Sequence, residues 1–260
     1  MSRKKQTKSR KKYWLIPVAI IFSLLVYISI TLYFQLRQED ETKFLLYPGF
    51  GIEIPTGYSI HGIDVSAYQQ YIFWPSVKNM KEENVRLSFV FIKATEGLLN
   101  TDKQFRRNWL KSQEAGITRG AYHFFLATKD GKAQALNFIK NVKLSKGDLP
   151  PVLDIEELYG VRPETMRNRV KDFLNKVEET YKVKPIIYTN ASFYNHYLGE
   201  AFNEYPLWVA HYFEKANPSV NRDWLFWQHN SMGKVNGIKS VTDFNVFKGD
   251  SSDFAGLLIK

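Results

Sequence analysis

The chain has 260 residues, of which 44% are hydrophobic and 15% aromatic, so it has enough apolar side chains for a large core, and disorder throughout is excluded. Its formal charge of +10 would suit a nucleic-acid-binding surface if the charges were spread over the fold. Seven basic residues and no acid lie within positions 1–12, which leaves only +3 for the rest of the chain. The excess charge is therefore a tail, and no nucleic-acid partner is expected.

The basic tail is followed by residues 14–34, a run of 21 residues without a charge. A helix of this length spans about 30 Å, the thickness of the hydrocarbon layer of a bilayer. Aromatic residues stand at both ends of the run, as they do at membrane interfaces. A cleaved signal peptide is the alternative, but the run is longer than the apolar part of such a peptide and no small-residue cleavage site follows it.

This pattern predicts a basic cytoplasmic tail at 1–12, a transmembrane anchor at 13–34, a stalk at 35–57 and a folded domain at 58–260. Positive charge before an anchor keeps the tail in the cytoplasm and places the folded domain outside. The stalk is predicted because Pro48, Gly49, Gly51, Pro55 and Gly57 interrupt any regular pattern. The chain has no cysteine, so disulfides do not stabilise the folded domain.

From residue 58 onward, short apolar runs alternate with helical patterns, which is typical of β/α units around a mainly parallel sheet or barrel. Strands are predicted at 59–65, 87–94, 120–125, 152–156, 185–189, 207–212 and 225–229, with irregular or hairpin structure over 235–247. Helices are predicted at 75–83, 102–115, 132–142, 163–181 and 191–202. The expected fold class is α/β: a flattened, irregular TIM-like (β/α) barrel of about eight strands and about five helices, preceded by one transmembrane helix.

The predicted strand at 152–156 carries two acids, Asp154 and Glu156. Side chains alternate along a strand, so the two acids share one face, while Leu153 and Ile155 share the other. The acids are about 6.5 Å apart along the strand and cannot both ionise freely. A glycosidase needs such a pair, one acid to protonate the leaving oxygen and one carboxylate to stabilise positive charge at the sugar carbon. The alternative is a strand end whose acids cap a helix or bind solvent.

In a barrel of this type the functional site lies at the carboxyl ends of the strands. Polar and aromatic residues occupy almost every predicted strand end, which suits a carbohydrate, because sugar faces stack on aromatic rings while hydroxyls need donors and acceptors. With the acid pair, the candidate site residues are Asp64, Lys93, Glu96, Tyr122, Tyr188, Trp208, Trp227, Gln228 and Asp243.

Some of these residues have plain structural alternatives. Trp208 and Trp227 lie in apolar runs, so burial in the core is equally open. Glu96 is also suited to bonding the backbone of its own loop. Histidines at 61, 123, 211 and 229 lie on different strands without HxH or HxxxH spacing, which favours ordinary hydrogen-bonding roles over a metal site. No metal or cofactor is expected.

Seven blocks, in order over residues 59–249, resemble glycoside hydrolase family 25, the muramidases often called Chalaropsis-type or phage-type lysozymes. These blocks are Gly62-Ile63-Asp64-Val65-Ser66 with Gln69, Phe91-Ile92-Lys93-Ala94-Thr95-Glu96-Gly97, Gly120-Ala121-Tyr122-His123-Phe124, Asp154-Ile155-Glu156, Pro206-Leu207-Trp208-Val209-Ala210, Trp227-Gln228 and Thr242-Asp243-Phe244-Asn245.

The resemblance implies hydrolysis of the β-1,4 bond between N-acetylmuramic acid and N-acetylglucosamine in peptidoglycan, with retention at the anomeric carbon. It implies that Glu156 is the general acid/base, that Asp154 is its neighbouring carboxylate, and that Asp64 and Asp243 line the groove. Tyr122 and Tyr188 resemble tyrosines that border the reacting sugar. The resemblance implies peptidoglycan glycan strands as the partner. It does not cover the tail, the anchor or the stalk; the bacterial cell membrane is expected as a partner from the uncharged run at 14–34, and an unidentified cell-envelope complex is a further expectation.

The second chemical step stays open between a covalent intermediate on Asp154 and a substrate-assisted route. We favour the substrate-assisted route because Asp154 and Glu156 point the same way from one strand. An anchored muramidase with no appended wall-binding repeats suggests local wall remodelling. Two alternatives remain: a catalytically silent glycan-binding or scaffolding domain, and a hydrolase of another exported polysaccharide. His229-Asn230 departs from the family pattern, so a distal subsite is expected to differ.

Overall fold

A computed structural model describes residues 15–39, 43–212 and 217–260. The chain divides into two compact units, residues 1–41 and 42–260. The first unit contains one described helix, α1, at Leu15–Glu39. The predicted basic tail at 1–12 and the first two residues of the predicted anchor lie outside the described residues. Across the part of the chain that is described, no helix qualifies by length and hydropathy as one that crosses a membrane.

The second unit contains the other elements. Its strands are β1 Phe44–Tyr47, β2 Ile52–Pro55, β3 His61–Val65, β4 Lys81–Glu82, β5 Val85–Glu96, β6 Asn100–Thr101, β7 Thr118–Phe124, β8 Val152–Asp154, β9 Ile186–Asn190, β10 Leu207–Ala210, β11 Phe226–Gly233 and β12 Thr242–Phe247. Its α-helices are α2 Trp74–Asn79, α3 Phe105–Glu114, α4 Gly131–Asn141, α5 Pro163–Tyr181, α6 Ala191–Phe193 and α7 Ser251–Leu257. A π-helix, Tyr194–Leu198, and a 3-10 helix, Gly199–Phe202, continue α6.

Eight of the described strands close into a barrel in the order β3-β12-β11-β10-β9-β8-β7-β5, and β5 pairs back with β3. Six of the eight pairings are parallel, and β12 runs antiparallel to both of its neighbours. The predicted α/β barrel of about eight strands is thus confirmed. All five predicted helices are present, although the last is α-helical only over α6; α7 was not predicted.

Alternation along the strands separates two apolar layers. Inward-facing side chains such as Phe89, Phe91 and Phe226 fill the barrel interior. Phe254 of α7 packs against Phe89, with ring centroids 5.7 Å apart, and so adds to this inner core. Outward-facing side chains pack against the helices in a second, larger core. Gly62 leaves room for the inner layer, since a Cβ at this position would lie 2.5 Å from the Phe89 ring.

A β-hairpin formed by β1 and β2 belongs to the outer layer. The antiparallel β12 is joined to the barrel without crossover helices, and the hairpin packs on the outer side of β11 and β12. Phe44 contacts Trp227 edge-on at 5.8 Å, Phe50 contacts Phe244 at 5.4 Å, and the Lys234 amide donates to the Phe50 carbonyl at 2.8 Å. The stalk predicted over 35–57 is therefore wrong from residue 43 onward, because Pro48, Gly49 and Gly51 form the hairpin turn.

Two buried histidines also face this outer layer, His61 on β3 and His229 on β11. Among the described residues, neither ring nitrogen of His229 has a hydrogen-bond partner, so the hydrogen-bonding role predicted for it is wrong. Burial lowers the pKa of His61 to about 4 and that of His229 to about 3, so both rings are neutral at pH 7. His123 has the predicted role, with Thr95 Oγ1 at 2.7 Å from its Nδ1.

Replacement of Phe50 tests the burial of the hairpin. Phe50→Ala should lower the free energy of unfolding by about 3–5 kcal/mol, since it removes a fully buried ring. Leu46→Ala, at a position of the same hairpin that is 65% exposed, should change it by less than about 0.5 kcal/mol. Urea unfolding of the full chain in detergent, followed by tryptophan fluorescence, measures both. Equal values for the two variants would mean that the hairpin does not contribute to the core.

Candidate active site

A cavity of about 260 Å³ opens at the carboxyl ends of the barrel strands. Each of the eight strands contributes at least one lining side chain. The lining residues are Asp64, Ser66, Lys93, Tyr122, Phe124, Asp154, Glu156, Tyr188, Trp208, Tyr212, Gln228 and Asp243. Nine of the eleven side chains that the sequence nominated are therefore brought together, and Glu96 and Trp227 are not.

Asp154 and Glu156 reach the cavity through the alternation expected of their strand. Val152 faces the barrel interior, Leu153 and Ile155 face the outer core, and the two acids line the cavity. Backbone bonds from Phe125 N to the Asp154 carbonyl (2.8 Å) and from Ile155 N to the Tyr188 carbonyl (3.0 Å) hold this segment in place. Asp154 is buried, whereas Glu156 is partly open to solvent.

The two carboxyls compete for ionisation. Burial, and next the charge of Glu156, raise the pKa of Asp154 well above its usual range. Burial also raises the pKa of Glu156, against the opposing effects of a hydrogen bond from Asp154 and the charge of Lys93. The two carboxyls therefore retain a proton between them to a higher pH than a free carboxyl does, and its loss involves both groups together. Asp154 Oδ1 is buried and has no hydrogen-bond partner among the described residues.

Asp64 and Asp243 form a second acid pair, directly opposite each other in the antiparallel register of β3 and β12. Asp64 Oδ2 accepts from Gln228 Nε2 at 2.7 Å and from Asn245 Nδ2 at 2.8 Å. Burial raises the pKa of Asp64 to about 6 although these donors oppose the shift. Burial, with the charges of Asp64 and Glu156, raises the pKa of Asp243 to about 8. Asp243 therefore keeps its proton to a higher pH than Asp64 does.

Hydrogen bonds from aromatic side chains fix the amides that serve Asp64. Tyr188 Oη and Tyr212 Oη donate to Gln228 Oε1 at 2.7 and 2.5 Å, and Trp208 Nε1 donates to Asn245 Oδ1 at 2.7 Å. Sequence reasoning did not include Tyr212 and Asn245 among the site residues. The period of two that places Asp243 at the cavity would have nominated Asn245 as well.

Lys93 is the one basic side chain among the described residues that line the cavity. Its Nζ lies 2.7 Å from Glu96 Oε2 and 4.5 Å from the centre of the Phe124 ring. Glu96 was predicted to contact substrate directly, and the structure corrects this prediction: Glu96 lies outside the cavity lining and reaches it only through Lys93. The sequence also allowed Glu96 to accept a hydrogen bond from the backbone of its own loop; its carboxylate instead pairs with Lys93.

Trp227 was also predicted to bind substrate, and the structure places it elsewhere. Phe226 and Gln228 face inward, so Trp227 between them faces the outer core, where it is fully buried and donates to the His211 carbonyl at 2.9 Å. Trp208 does line the cavity, stacked on Phe91 with ring centroids 4.3 Å apart. Among the described residues, no group of three histidine or acidic side chains is arranged to hold a metal ion.

A closed β/α barrel that gathers four carboxyl groups at the ends of its strands defines a glycoside hydrolase of the two-carboxylate class. The sequence profile described as glycosyl hydrolases family 25 matches residues 63–238. The chain belongs to this family, as its sequence blocks indicated.

Relatives extend over most of the chain. It is 46% identical over 209 residues to the uncharacterized protein YegX of Escherichia coli O6:H1, covering 80% of this chain and 77% of that protein. It is 37% identical over 214 residues to lysozyme M1 of Streptomyces globisporus, covering 76% and 71%. The solved structure of a family 25 glycosyl hydrolase from Bacillus anthracis superposes with a TM-score of 0.72 at 33% identity, covering 78% and 95%.

Substitution of Asp243 tests the electrostatics of the site. Its folded-state pKa of about 8 lies above the usual value of 3.8 for an aspartate, so the folded state holds the extra proton between about pH 4 and 8. Its stabilising contribution is complete below that window and is lost as pH rises through it. In the wild type, the free energy of unfolding should therefore fall as pH rises through this window. Asp243→Asn should reduce the slope of this fall by up to about 1.4 kcal/mol per pH unit.

Urea unfolding at several values between pH 5 and 8 measures this slope. The control is Asp223→Asn, at a carboxylate whose side chain is 99% exposed, which should leave the slope unchanged. Parallel pH profiles for wild type and Asp243→Asn would show that Asp243 is ionised in the folded protein.

Proposed function

We propose that this protein is a muramidase that hydrolyses the β-1,4 bond between N-acetylmuramic acid and N-acetylglucosamine in peptidoglycan, with retention. The acid pair Asp154–Glu156, sharing one proton at the edge of a sugar-sized cavity, carries the proposal. Membership of family 25 and the similarity to lysozyme M1 support the choice of substrate over another exported polysaccharide. Four carboxyls held together at an electrostatic cost argue for catalysis over a silent binding domain.

Glu156 is the general acid, because it is the more accessible member of the pair. It donates its proton to the glycosidic oxygen as the bond from that oxygen to C1 breaks. The carbonyl oxygen of the substrate's 2-acetamido group attacks C1 and forms a cyclic oxazolinium ion. Water then attacks C1 and reopens the ring while Glu156 takes the proton from the water, so that two inversions give net retention.

Asp154 orients the acetamido group in this route. Its Oδ1 is a buried acceptor that no described residue of the protein satisfies, and the acetamido N–H is the donor that would satisfy it. This hydrogen bond stabilises ionised Asp154 and so shifts the shared proton to Glu156, where the first step needs it. Asp64 contributes a fixed negative charge toward the cationic transition state, and protonated Asp243 donates to a sugar hydroxyl.

Glu156→Gln should lower turnover by at least about a thousandfold, since it removes the proton donor, yet leave binding to the polymer largely intact. The matched control is Glu157→Gln, at the exposed neighbour, which should retain activity. Dye release from labelled peptidoglycan measures turnover, and mass spectrometry of the digest identifies the new reducing end as muramic acid. Substantial activity in Glu156→Gln would remove Glu156 from the acid role, and a covalent sugar trapped on Asp154 with a fluorinated substrate would replace the acetamido step.

We further propose that residues 14–34 anchor the enzyme in the bacterial cell membrane, with its amino terminus in the cytoplasm and the hydrolase outside, for local wall remodelling. The uncharged run and the preceding basic tail support this orientation. Apolar side chains of α1 such as Ile20, Phe22 and Leu25 are more than half exposed. Residues 20–32, whose side chains are described, span only about 20 Å, so the proposal rests on the whole run in the sequence.

Two arginines placed in the run test the anchor. Leu24→Arg with Leu25→Arg should move the protein from the membrane fraction to the soluble fraction, because each charge costs about 3 kcal/mol at the centre of a bilayer. The control is Leu45→Arg with Leu46→Arg, which adds the same charge at exposed positions of the hairpin and should leave the protein in the membrane fraction. Alkaline extraction followed by immunoblotting measures the partition. Wild-type protein in the soluble fraction would contradict the anchor.

A further inference from the structure

The most exposed aromatic side chains in the described part of the second unit gather at one end of the barrel. Tyr68, Tyr71 and Phe73 follow β3, Tyr159 follows β8, and Tyr212 follows β10, with exposures of 67%, 61%, 51%, 42% and 38%. All five lie on loops at the carboxyl ends of strands, the end that holds the catalytic cavity. Tyr212 lines that cavity itself.

Two of these side chains, Tyr71 and Phe73, line a groove that is separate from the catalytic cavity. Ser66 lines the catalytic cavity, and Tyr71 and Phe73 line a groove of about 380 Å³ between residues 71–75 and helix α3. The Ala67 amide donates to Asp102 Oδ2 at 2.8 Å, which ties this loop to the segment that precedes α3. We call this space, lined by residues 71–75 with Arg107, Lys111 and Glu114, the aromatic groove.

Contacts hold the Tyr71 ring and the backbone of residues 72 and 73 in place. The Arg107 guanidinium stacks over the Tyr71 ring at 3.9 Å, and its Nη1 donates to the Ile72 carbonyl at 3.1 Å. The Phe73 amide donates to the Gly237 carbonyl at 2.9 Å. Rigid apolar surface that stays in contact with water is a feature of binding sites.

The charge of the aromatic groove is opposite to that of the catalytic cavity. Arg107 and Lys111 face a single acid, Glu114, which pairs with Lys111. The cavity holds four acids and one lysine. A polymer of neutral sugar rings that carries acidic branches is therefore attracted through its branches to the groove and repelled there from the cavity.

We propose that the aromatic groove binds the carboxylate-bearing stem peptide of a muramic acid residue that lies outside the cleavage site. Arg107 and Lys111 pair with the peptide carboxylates, and Tyr71 and Phe73 contact its aliphatic parts. Residues 66–71 link the lining of the catalytic cavity to that of the groove along the chain, and the assignment places one glycan strand across both. This assignment rests on peptidoglycan being the substrate, and it adds a second point of attachment that raises the local concentration of the strand at the acids.

The test measures binding rather than turnover, in full-length protein carrying Glu156→Gln so that the polymer stays intact. Two preparations of glycan strands immobilised on beads are compared by pull-down: strands with their stem peptides, and strands from which an amidase has removed the peptides and whose lactyl carboxylates, freed by that hydrolysis, are capped as methylamides. Tyr71→Ala with Phe73→Ala, and separately Arg107→Gln with Lys111→Gln, should weaken binding to the intact polymer by about fivefold and leave binding to stripped strands unchanged. Leu136→Ala, half exposed on α4, is the matched control and should change neither.

Three results would overturn the assignment. Equal loss on intact and stripped strands would make the glycan itself the occupant of the groove. Unchanged binding in both double variants, with unaltered thermal unfolding, would remove the site. A wild type that binds both preparations equally would do the same. Failure of the muramidase proposal is seen separately, as the absence of new muramic acid reducing ends in a wild-type digest.

Discussion

Repulsion among four carboxyl groups in one small cavity is the constraint on which the rest of this site depends. Asp64, Asp154, Glu156 and Asp243 converge on the cavity, where burial weakens the screening of their charges. The protein limits the cost by retaining protons. The pKa of Asp243 is raised to about 8 and those of Asp154 and Glu156 are also raised, so the four groups are not all ionised together. The proton retained by the pair Asp154–Glu156 is also the acid that glycoside hydrolysis needs.

The hydrogen-bond network decides which acid stays ionised. The Trp208 indole can only donate, so the oxygen of Asn245 must face it and the nitrogen of Asn245 must face Asp64. Two tyrosine hydroxyls donate to Gln228 Oε1, which turns its nitrogen toward Asp64 in the same way. Each amide thus uses its oxygen for the aromatic donors and its nitrogen for Asp64. A connected buried network of this kind is rigid, so the Asp64 carboxyl is fixed in direction as well as in place.

Period-two reasoning predicted the barrel strands and the shared face of Asp154 and Glu156, because burial on one side and a cavity on the other leave a clear pattern. The same reasoning failed where one sequence pattern is compatible with two different structures. Trp208 and Trp227 both lie in apolar runs, and only the inward direction of Gln228 shows that Trp227 must face outward. The β1–β2 hairpin was missed because its Pro and Gly residues suit a stalk as well as a turn. Packing between residues that are far apart in the chain determines the hairpin. Because β12 runs antiparallel, no crossover helix covers its outer surface, and Phe44 and Phe50 of the hairpin cover it instead.

The opposite charges of the aromatic groove and the catalytic cavity suit a substrate with a neutral backbone and acidic branches. A glycan backbone is neutral and can approach four acids, whereas a branch that carries carboxylates cannot do so without cost. Arg107 and Lys111 offer such branches a favourable position in the aromatic groove. Chains without acidic branches gain nothing there, so discrimination arises away from the reacting bond. The catalytic cavity can then remain as acidic as its chemistry requires, because it does not have to bind the charged part of the polymer.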